Sequence, residues 1–454
     1  MGPGPATYRT ARAGKGGLPP GPRLPRAAQT LLFRTVGHRL TPRLRGRYGD
    51  MVRLRLFPEG AVVQLTDAEH IRAVLNGPDT VYHGGEGNAI VEPVLGARSV
   101  MLADELDHRR ARRLLTPAFR AAALDGYRGM VARLTAEELD RWPAGVPFRA
   151  HDRMNRLTLE VVLRVVFGVT RGARLDRLRT LLRAFVDVRP VDFLGWHLPA
   201  LQRVGRWRRK LAQQRELDAL IHEVIRERRD AGEAGAGGTD VLSRLLGSSD
   251  EDGGLSDAEL RDQLVSLLLA GHETTATALA WSLHELAWSA PLQARAARAA
   301  ATGDDAFLEA VVKESLRLHP VIAEIARRVT EDVELGEYRI PAGTTVMPMI
   351  GQVHLDARYH QAPRVFDPGR FLEGPPPRET WLPFGGGARY CLGAGFALME
   401  SAVVLREVLT RFRLEPGRAG REEERARHVV LVPGHGAVVR ALPRTGDPHG
   451  EAVS

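Results

Sequence analysis

The sequence predicts a mainly α-helical protein with small β-sheets, organised as one domain over residues 18–444. Three observations carry that prediction. Helical periodicity dominates from Ala122 to Phe167, from Leu175 to Arg229 and from Leu255 to about Trp288. Strand-like stretches are short, Met51–Leu56 and Ala61–Leu65 being the clearest. Finally, the chemistry-bearing motifs are spread along the whole chain, with neither a linker nor an internal repeat between them. At 454 residues and 44% hydrophobic composition there is ample material for one large core.

Charge and cysteine usage narrow the function classes. The net charge is +9, but lysine occurs only at Lys15, Lys210 and Lys313, so arginine makes up nearly all of the 64 basic residues. That bias fits a GC-rich coding sequence better than a phosphate-binding surface. The basic residues are scattered, with runs at Arg109–Arg113 and Arg206–Lys210. No zinc-finger spacing or RNA-binding aromatic motif accompanies them, and no nucleic-acid partner is expected. A single cysteine excludes an intramolecular disulfide and suits a reducing compartment, so a cytoplasmic protein is expected. No stretch reaches the roughly 18 to 20 apolar residues that span a bilayer. The first 17 residues lack the apolar core of a signal peptide, and peripheral membrane contact stays open. A monomer is expected.

In chain order, residues 1–17 read as a flexible arm and Leu18-Pro19-Pro20-Gly21-Pro22 as a stiff extended lead-in. A helix is predicted around Val36–Tyr48, then two paired strands joined by the Pro58-Glu59-Gly60 turn. Tyr82–Ser99 is Gly-rich and aperiodic, which predicts a loop. The helix predicted over Leu106–Phe119 puts His108 and Arg112 on one face. Val191–Pro199 interrupts the helical pattern beside the Arg206–Lys210 run. It reads as a lid over a substrate channel, as a membrane-touching edge, or as an ordinary helix–helix corner. Ala231–Gly238 and Ser248–Gly254 read as connectors and residues 445–454 as a flexible tail.

The longest helix starts strongly. Ser256 and Glu259 form a capping box, and Leu255 with Leu260 can make the hydrophobic staple. The pattern runs on to a stop at Pro291, roughly 45 Å or more at 1.5 Å per residue. In its middle, Ala270-Gly271-His272-Glu273-Thr274-Thr275 interrupts an apolar run. A mid-helix Gly costs about 1 kcal/mol relative to Ala, and threonine hydroxyls compete for carbonyls one turn back. Such a local fault makes a groove for a small ligand, or a kink without chemistry. A zinc reading fails, because His272-Glu273 opens a His-Glu-x-x-His pattern but position 276 is Ala276.

Glu314 and Arg317 stand three apart on the next predicted face, the spacing of an ordinary surface pair worth about 1 kcal/mol at most. The only cysteine, Cys391, lies between a glycine-rich loop and a helix predicted from about Leu392. Unpaired amides and the dipole at a helix N-terminus favour a thiolate, the form that ligates a metal. Gly387, Gly393 and Gly395 remove side chains where something flat could approach the backbone.

Phe384-x-x-Gly387-x-Arg389-x-Cys391-x-Gly393 matches the haem-ligand loop of the cytochrome P-450 family without a gap. The segment Ala270-Gly271-x-Glu273-Thr274-Thr275 resembles its oxygen-binding helix. Together with Glu314-x-x-Arg317 these motifs make the chain resemble a soluble bacterial haem-thiolate monooxygenase from about Leu18 to Arg444. The resemblance implies the single-domain cytochrome P-450 fold, with a long central helix over haem and the cysteine loop beneath it. It implies haem b with Cys391 as axial ligand to iron, dioxygen as co-substrate, and electrons from NAD(P)H. With no flavin or iron–sulfur sequence fused, the electrons would arrive through a ferredoxin or flavodoxin and its reductase. The Arg109–Arg113 run would be the dock. One oxygen atom would enter a mostly apolar small organic substrate, a lipid, terpenoid or other secondary metabolite, by hydroxylation or epoxidation.

The same resemblance assigns residues. Thr274 would hydrogen-bond the distal oxygen and Glu273 would connect to solvent protons, since O–O cleavage needs two protons delivered to one oxygen. His108, Arg112, Arg327 and Arg389 would anchor the haem propionates, with Arg328 able to exchange with Arg327. Glu314 and Arg317 would be a buried clamp joined by Arg370. The Asn88–Leu95 loop, Leu268, Leu269, Val321, Ile322 and the Gly434-His435-Gly436 turn would shape the substrate pocket. Glu324 departs from the family's apolar pattern there. It either recognises a cationic or hydroxylated substrate or, the favoured reading, points to an arginine neighbour. Three other activities stay open. An isomerase or dehydratase would not need the Glu273–Thr274 pair, and a peroxygenase would turn over on peroxide without a redox partner. A haem-binding sensor would give no oxygenated product.

Overall fold

The computed structural model describes residues 17–168, 172–186, 200, 203–232, 238–251, 253–427 and 429–444. The expectations for Val191–Pro199, for residues 1–16 of the arm and for the tail lie outside them. Eleven helices of eight or more residues are described: α1 (Arg26–Tyr48), α2 (Ala68–Leu75), α3 (Glu105–Leu115), α4 (Ala121–Leu139), α5 (Ala150–Phe167), α6 (Ala173–Val186), α7 (Gly205–Asp230), α8 (Asp257–Ala287), α9 (Ala290–Thr302), α10 (Asp305–Leu318) and α11 (Ala394–Arg411).

The principal sheet has five strands, β1 (Met51–Leu56), β2 (Gly60–Leu65), β3 (Tyr82–His83), β4 (Arg327–Val329) and β5 (Thr345–Pro348), in the order β1-β2-β5-β4-β3. β1 and β2 form the expected hairpin, Met51 opposite Leu65. β5 runs parallel to β2 and antiparallel to β4, so residues near 346 are laid between residues near 63 and residues near 328. The aperiodic stretch from Tyr82 is not all loop. Its first two residues pair with β4, and short helical turns follow at Gly84–Gly87, Ala89–Val91 and Glu92–Leu95. Each is too short for periodicity to register.

Helix ends differ from the sequence expectation where neighbouring elements intervene. α1 starts ten residues earlier than predicted, where Gln29 on its first turn donates to the carbonyls of Pro22 and Leu24, and it kinks at Val36, the predicted start. α8 ends at Ala287 with Trp288 as its C-cap, close to the expected end, but Pro291 lies in the first turn of α9 instead of stopping α8. A proline is favoured in a first turn, where its missing N–H is not needed.

α8 is the axis of the main core, a hydrophobic cluster drawing on α3 to α11. A second, smaller cluster packs α2 against the sheet, and a third lies between α1 and β1. The capping box at Ser256 and Glu259 is formed. Glu259 also accepts from Arg110, which ties α3 to the start of α8. One turn on, Asp262, Gln263 and Ser266 bond the chain at Arg98–Val100, fixing the segment that leads into α3. α5 lies along α8, where Thr158 donates to the carbonyl of His272 and His151 meets Thr277 at 3.1 Å.

Candidate functional site

Cys391 sits two residues before Gly393, the N-cap of α11. Its amide donates to the carbonyl of Phe384 at 2.9 Å, and that of Tyr390 to Gly387 at 3.1 Å, which closes the loop on itself. The thiol keeps accessible surface although protein encloses it densely. A group of that kind sits in a recess of the protein and not on its outer surface. Burial pushes its pKa up, against the Gly393 amide and the Arg112 charge, which act the other way. The thiolate preference read from the helix end is therefore outweighed in the free site by desolvation.

The three glycines of the loop differ in kind. Gly387 has φ +62°, and a Cβ there would stand 1.8 Å from the carbonyl oxygen of Leu75 in α2. It is glycine because α2 is there. At Gly395 a Cβ would touch only the Leu124 side chain, whereas at Gly393 it would meet nothing within 4 Å. Of the three, Gly393 alone opens on free space.

A cationic group gathers beside the thiol. Arg112 donates to the carbonyl of Tyr390 at 2.7 Å. His108, one turn back on α3, is buried, and its Nδ1 has no partner. Its pKa is lowered to about 4 by burial, then by Arg389 and Arg112. Arg389 bonds Ala103 and Asp104. Arg327 on β4 is 7% exposed and donates to the carbonyl of Ala326. Burial and the Arg389 charge lower its pKa to about 10. Arg328 instead donates to the Glu59 carbonyl on the far side of the strand. Asp104 is a site residue that sequence reasoning misses. It accepts from the amides of Gly85 and Glu86 as well as from Arg389. No local motif marks it, but the glycines before it are a signal: a Cβ on Gly84 would strike the Arg389 side chain.

α8 turns a different surface inward. Ala270 is exposed at the centre of a helix otherwise mostly buried, and Gly271 and Thr274 are half-buried. Thr274 Oγ1 donates to the carbonyl of Ala270 at 2.6 Å and Thr275 Oγ1 to Gly271 at 3.1 Å, yet the helix runs unbroken. The expected fault is thus confined to side chains. Glu273 pairs with Arg427 at 3.4 Å, and Arg427 is 42% exposed. His151 lies near both charges.

The clamp residues are packed together. Glu314 and Arg317 have no exposure and are joined at 2.7 and 2.9 Å. Arg317 also donates to the carbonyls of His354, Pro363 and Val365, and Arg370 reaches Glu314 at 3.2 Å. Of the pocket candidates, Leu268 and Val321 are buried in the core, while Leu269 and Ile322 keep partial access. His435 is exposed and pairs with Glu422. Glu324 makes no ion pair among the described residues. The arginine that acts on it, Arg34, is bonded to Glu59.

These residues fit the haem that the resemblance implies. An accessible but enclosed sulfur stands beside Arg112, which with Arg389 acts on His108, whose Nδ1 is open, and Arg389 acts in turn on Arg327, with Asp104 and Asp79 the acids of the group. Carboxylates on a flat ligand would answer the charge of buried Arg327 and the open His108 Nδ1. Among the described residues no His, Cys, Asp and Glu cluster could hold a bare metal ion.

Comparison with known proteins agrees. The family model for cytochrome P-450 matches residues 18–439. A Mycobacterium tuberculosis protein named cytochrome P-450 135A1 is 44% identical over 94% of this chain and 96% of its own length. One from Mycobacterium bovis, named cytochrome P-450 135B1, is 40% identical over 93% and 91%. The solved retinoic acid-bound cyanobacterial CYP120A1 superposes with a TM-score of 0.84 at 23% identity, covering 95% of this chain and all of that one, which speaks to the fold. The chain therefore belongs to the cytochrome P-450 family and is a haem-dependent monooxygenase.

Proposed function

We propose that the enzyme hydroxylates or epoxidises a mostly apolar small organic molecule, a lipid, terpenoid or other secondary metabolite. In this reading residues 18–444 act as one domain, and two electrons come from NAD(P)H through a separate ferredoxin or flavodoxin and its reductase. A lone cysteine suits a reducing cytoplasm. The single observation that carries the reading is the enclosed, accessible thiol of Cys391 beside Arg112, in one group with Arg389, buried Arg327 and the open His108 Nδ1.

Cys391 would hold the iron through Sγ, with Phe384, Gly387 and Gly393 shaping its loop. Arg112, Arg327, Arg389 and His108 would hold the propionates, the open His108 Nδ1 included. Bound there, haem would supply the activation of dioxygen and the transfer of one oxygen atom, chemistry that a thiolate ligand favours. Around it the chain's own groups handle protons and water. Glu273 takes a proton on its carboxylate from the solvent side, where Arg427 lies. Thr274 Oγ1 passes it inward beside Ala270 and Gly271, in surroundings otherwise too dry to supply one. Glu314, Arg317 and Arg370 brace the chain between His354 and Arg370, ahead of the cysteine loop. Leu269 and Ile322 offer the substrate apolar contact.

The test is the absorption spectrum of the reduced, carbon monoxide-bound holoprotein, taken for the natural chain and for Cys391→Ser. The expected result is a thiolate-type spectrum that the serine variant loses. An unchanged spectrum in Cys391→Ser holoprotein would overturn the cofactor assignment and every role built on it. Peroxide-dependent turnover in the absence of NAD(P)H and redox proteins would instead select the peroxygenase reading.

A further inference from the structure

We propose that the face made by α1 and the outer side of β1 docks on an anionic phospholipid surface. The inference goes beyond the monooxygenase reading and does not depend on it.

The charge of the chain is lopsided although its arginines are scattered. Residues 1–60 hold eleven arginines and one lysine against two acids, Asp50 and Glu59, a net +10. The whole chain carries +9, so the other 394 residues sum to −1. Asymmetry of that size within one chain points to a polyanionic partner for its basic part. The fold leaves these charges uncompensated. Both acids are already taken, Asp50 by Arg45 and Arg358 and Glu59 by Arg34. Arg23, Arg43, Arg47, Arg53 and Arg55 make no ion pair among the described residues, and all but Arg53 are exposed.

Apolar side chains stand among them. The buried stripe of α1 is Gln29, Phe33, Gly37, Thr41 and Leu44, which leaves Leu31, Leu32 and Val36 turned outward. Along β1 the side chains alternate, so Arg53 and Arg55 share the side away from the core. Arg55 donates to the carbonyl of Leu24. Phe57, at the hairpin turn, is tied to the same half of α1. Its amide donates to Thr30 Oγ1, and Arg26 lies over its ring at 5.4 Å. Of the thirteen exposed large hydrophobic side chains among the described residues, five fall between Leu24 and Phe57, and Leu31 and Phe57 are 65% and 66% exposed.

A single exposed leucine is ordinary. Leucine and phenylalanine set among unpaired guanidinium groups are the composition of a surface that lies in a lipid interface, apolar groups in the acyl boundary and cations on the phosphates. A soluble acidic protein or a nucleic acid would use the charges and leave Leu31 and Phe57 in water. Residues 1–16, with Arg9, Arg12 and Lys15 and no acid, would be repelled by the face and do not suit it as a cover. β1 is one edge of the principal sheet and β3, beside β4 and Arg327, is the other, so lipid would meet the edge opposite Arg327. No helix among the described residues is long and apolar enough to cross a membrane, so the contact is peripheral.

Flotation of the holoprotein with vesicles of phosphatidylcholine, and of equal parts phosphatidylcholine and phosphatidylglycerol, reads the binding. The natural protein should float with the anionic vesicles, leave them as added salt shortens the screening length, and pass over the neutral ones. Arg43→Gln combined with Arg47→Gln should bind about thirtyfold more weakly, about fivefold for each charge removed. Leu31→Ser combined with Phe57→Ser should bind about tenfold more weakly and keep the natural salt dependence. Arg120→Gln combined with Arg298→Gln removes two exposed charges elsewhere and should bind as the natural protein does. Every position changed is exposed, so urea midpoints should stay at the natural value, which separates lost docking from lost folding. Equal binding of the two vesicle types, binding of neither, or natural binding by either pair of variants on the face overturns the proposal. Retention of RNA or polyglutamate without vesicle binding overturns it as well, by making the face a surface for a soluble polyanion. So does a dimer in lipid-free solution that Leu31→Ser with Phe57→Ser abolishes, since a second copy would then cover the apolar half.

Discussion

At Glu314 the carboxylate accepts two bonds from Arg317, one from Arg370 and one from the Asp367 amide, with no surface exposed. The sequence displays the pair only as Glu-x-x-Arg, a spacing that on most helices marks a weak surface contact. What makes it different here is what Arg317 does with its remaining donors, which hold three carbonyls between His354 and Val365. Deleting one partner leaves the other charged, buried and unpaired, at a cost on the order of 3 to 5 kcal/mol. Glu314→Ala and Arg317→Ala should therefore lower the urea midpoint sharply and reduce haem content in the purified protein. Arg370→Ala should cost far less, about 1 kcal/mol, because Arg370 gives Glu314 a single 3.2 Å contact and its other bond, to the Gln361 carbonyl, is exposed. Either deep variant purified with full haem and an unshifted midpoint, failing only in turnover, would contradict this account.

Among the elements, the cysteine loop shows how far pattern reading goes. Its composition announces a site, and its glycines look alike in sequence, but they serve different neighbours. The contact of Gly387 with Leu75 joins residues more than 300 positions apart, and no local rule encodes it. The same holds for Asp104 and for β3, whose two residues are strand only because β4 arrives from the other end of the chain. By contrast, the β1–β2 hairpin and the α8 capping box depend on residues a few positions apart, and both are legible in the sequence alone. The two glycines give a matched test. Gly387→Ala should destabilise the protein whether or not haem is present, since the loop must leave α2 or accept strain at positive φ. Gly393→Ala should leave the apoprotein midpoint within about 0.5 kcal/mol of the natural value and lower haem affinity, because its new methyl enters the free space. Denaturant titration of both apoproteins with haem titration alongside reads the difference. A Gly393→Ala variant that binds haem normally would show that this space is not where the cofactor lies.

For the whole molecule, the site is where distant parts of the chain are made to meet. Its members come from α3, β4, the cysteine loop and the turns after β3, and three of them are arginines brought together in one partly buried group. Composition points the same way only in that arginine is abundant. It does not say which few converge, because that depends on α8 placing α3 through Glu259 and on the sheet placing Arg327. A protein that concentrates like charge in its interior is poised against itself until an anion arrives. Haem binding should then stabilise the native state by mass action, about 4 kcal/mol when haem exceeds its dissociation constant a thousandfold. The gain should also be uneven. Amide exchange should slow most at residues 84–115, 327–329 and 384–395, where the cations and the thiol lie, and least at α6, α7 and β1, which do not touch them. Hydrogen exchange on apoprotein and reconstituted holoprotein measures this directly. Equal protection across all segments would mean that the cationic group is held by its own packing and does not await a ligand.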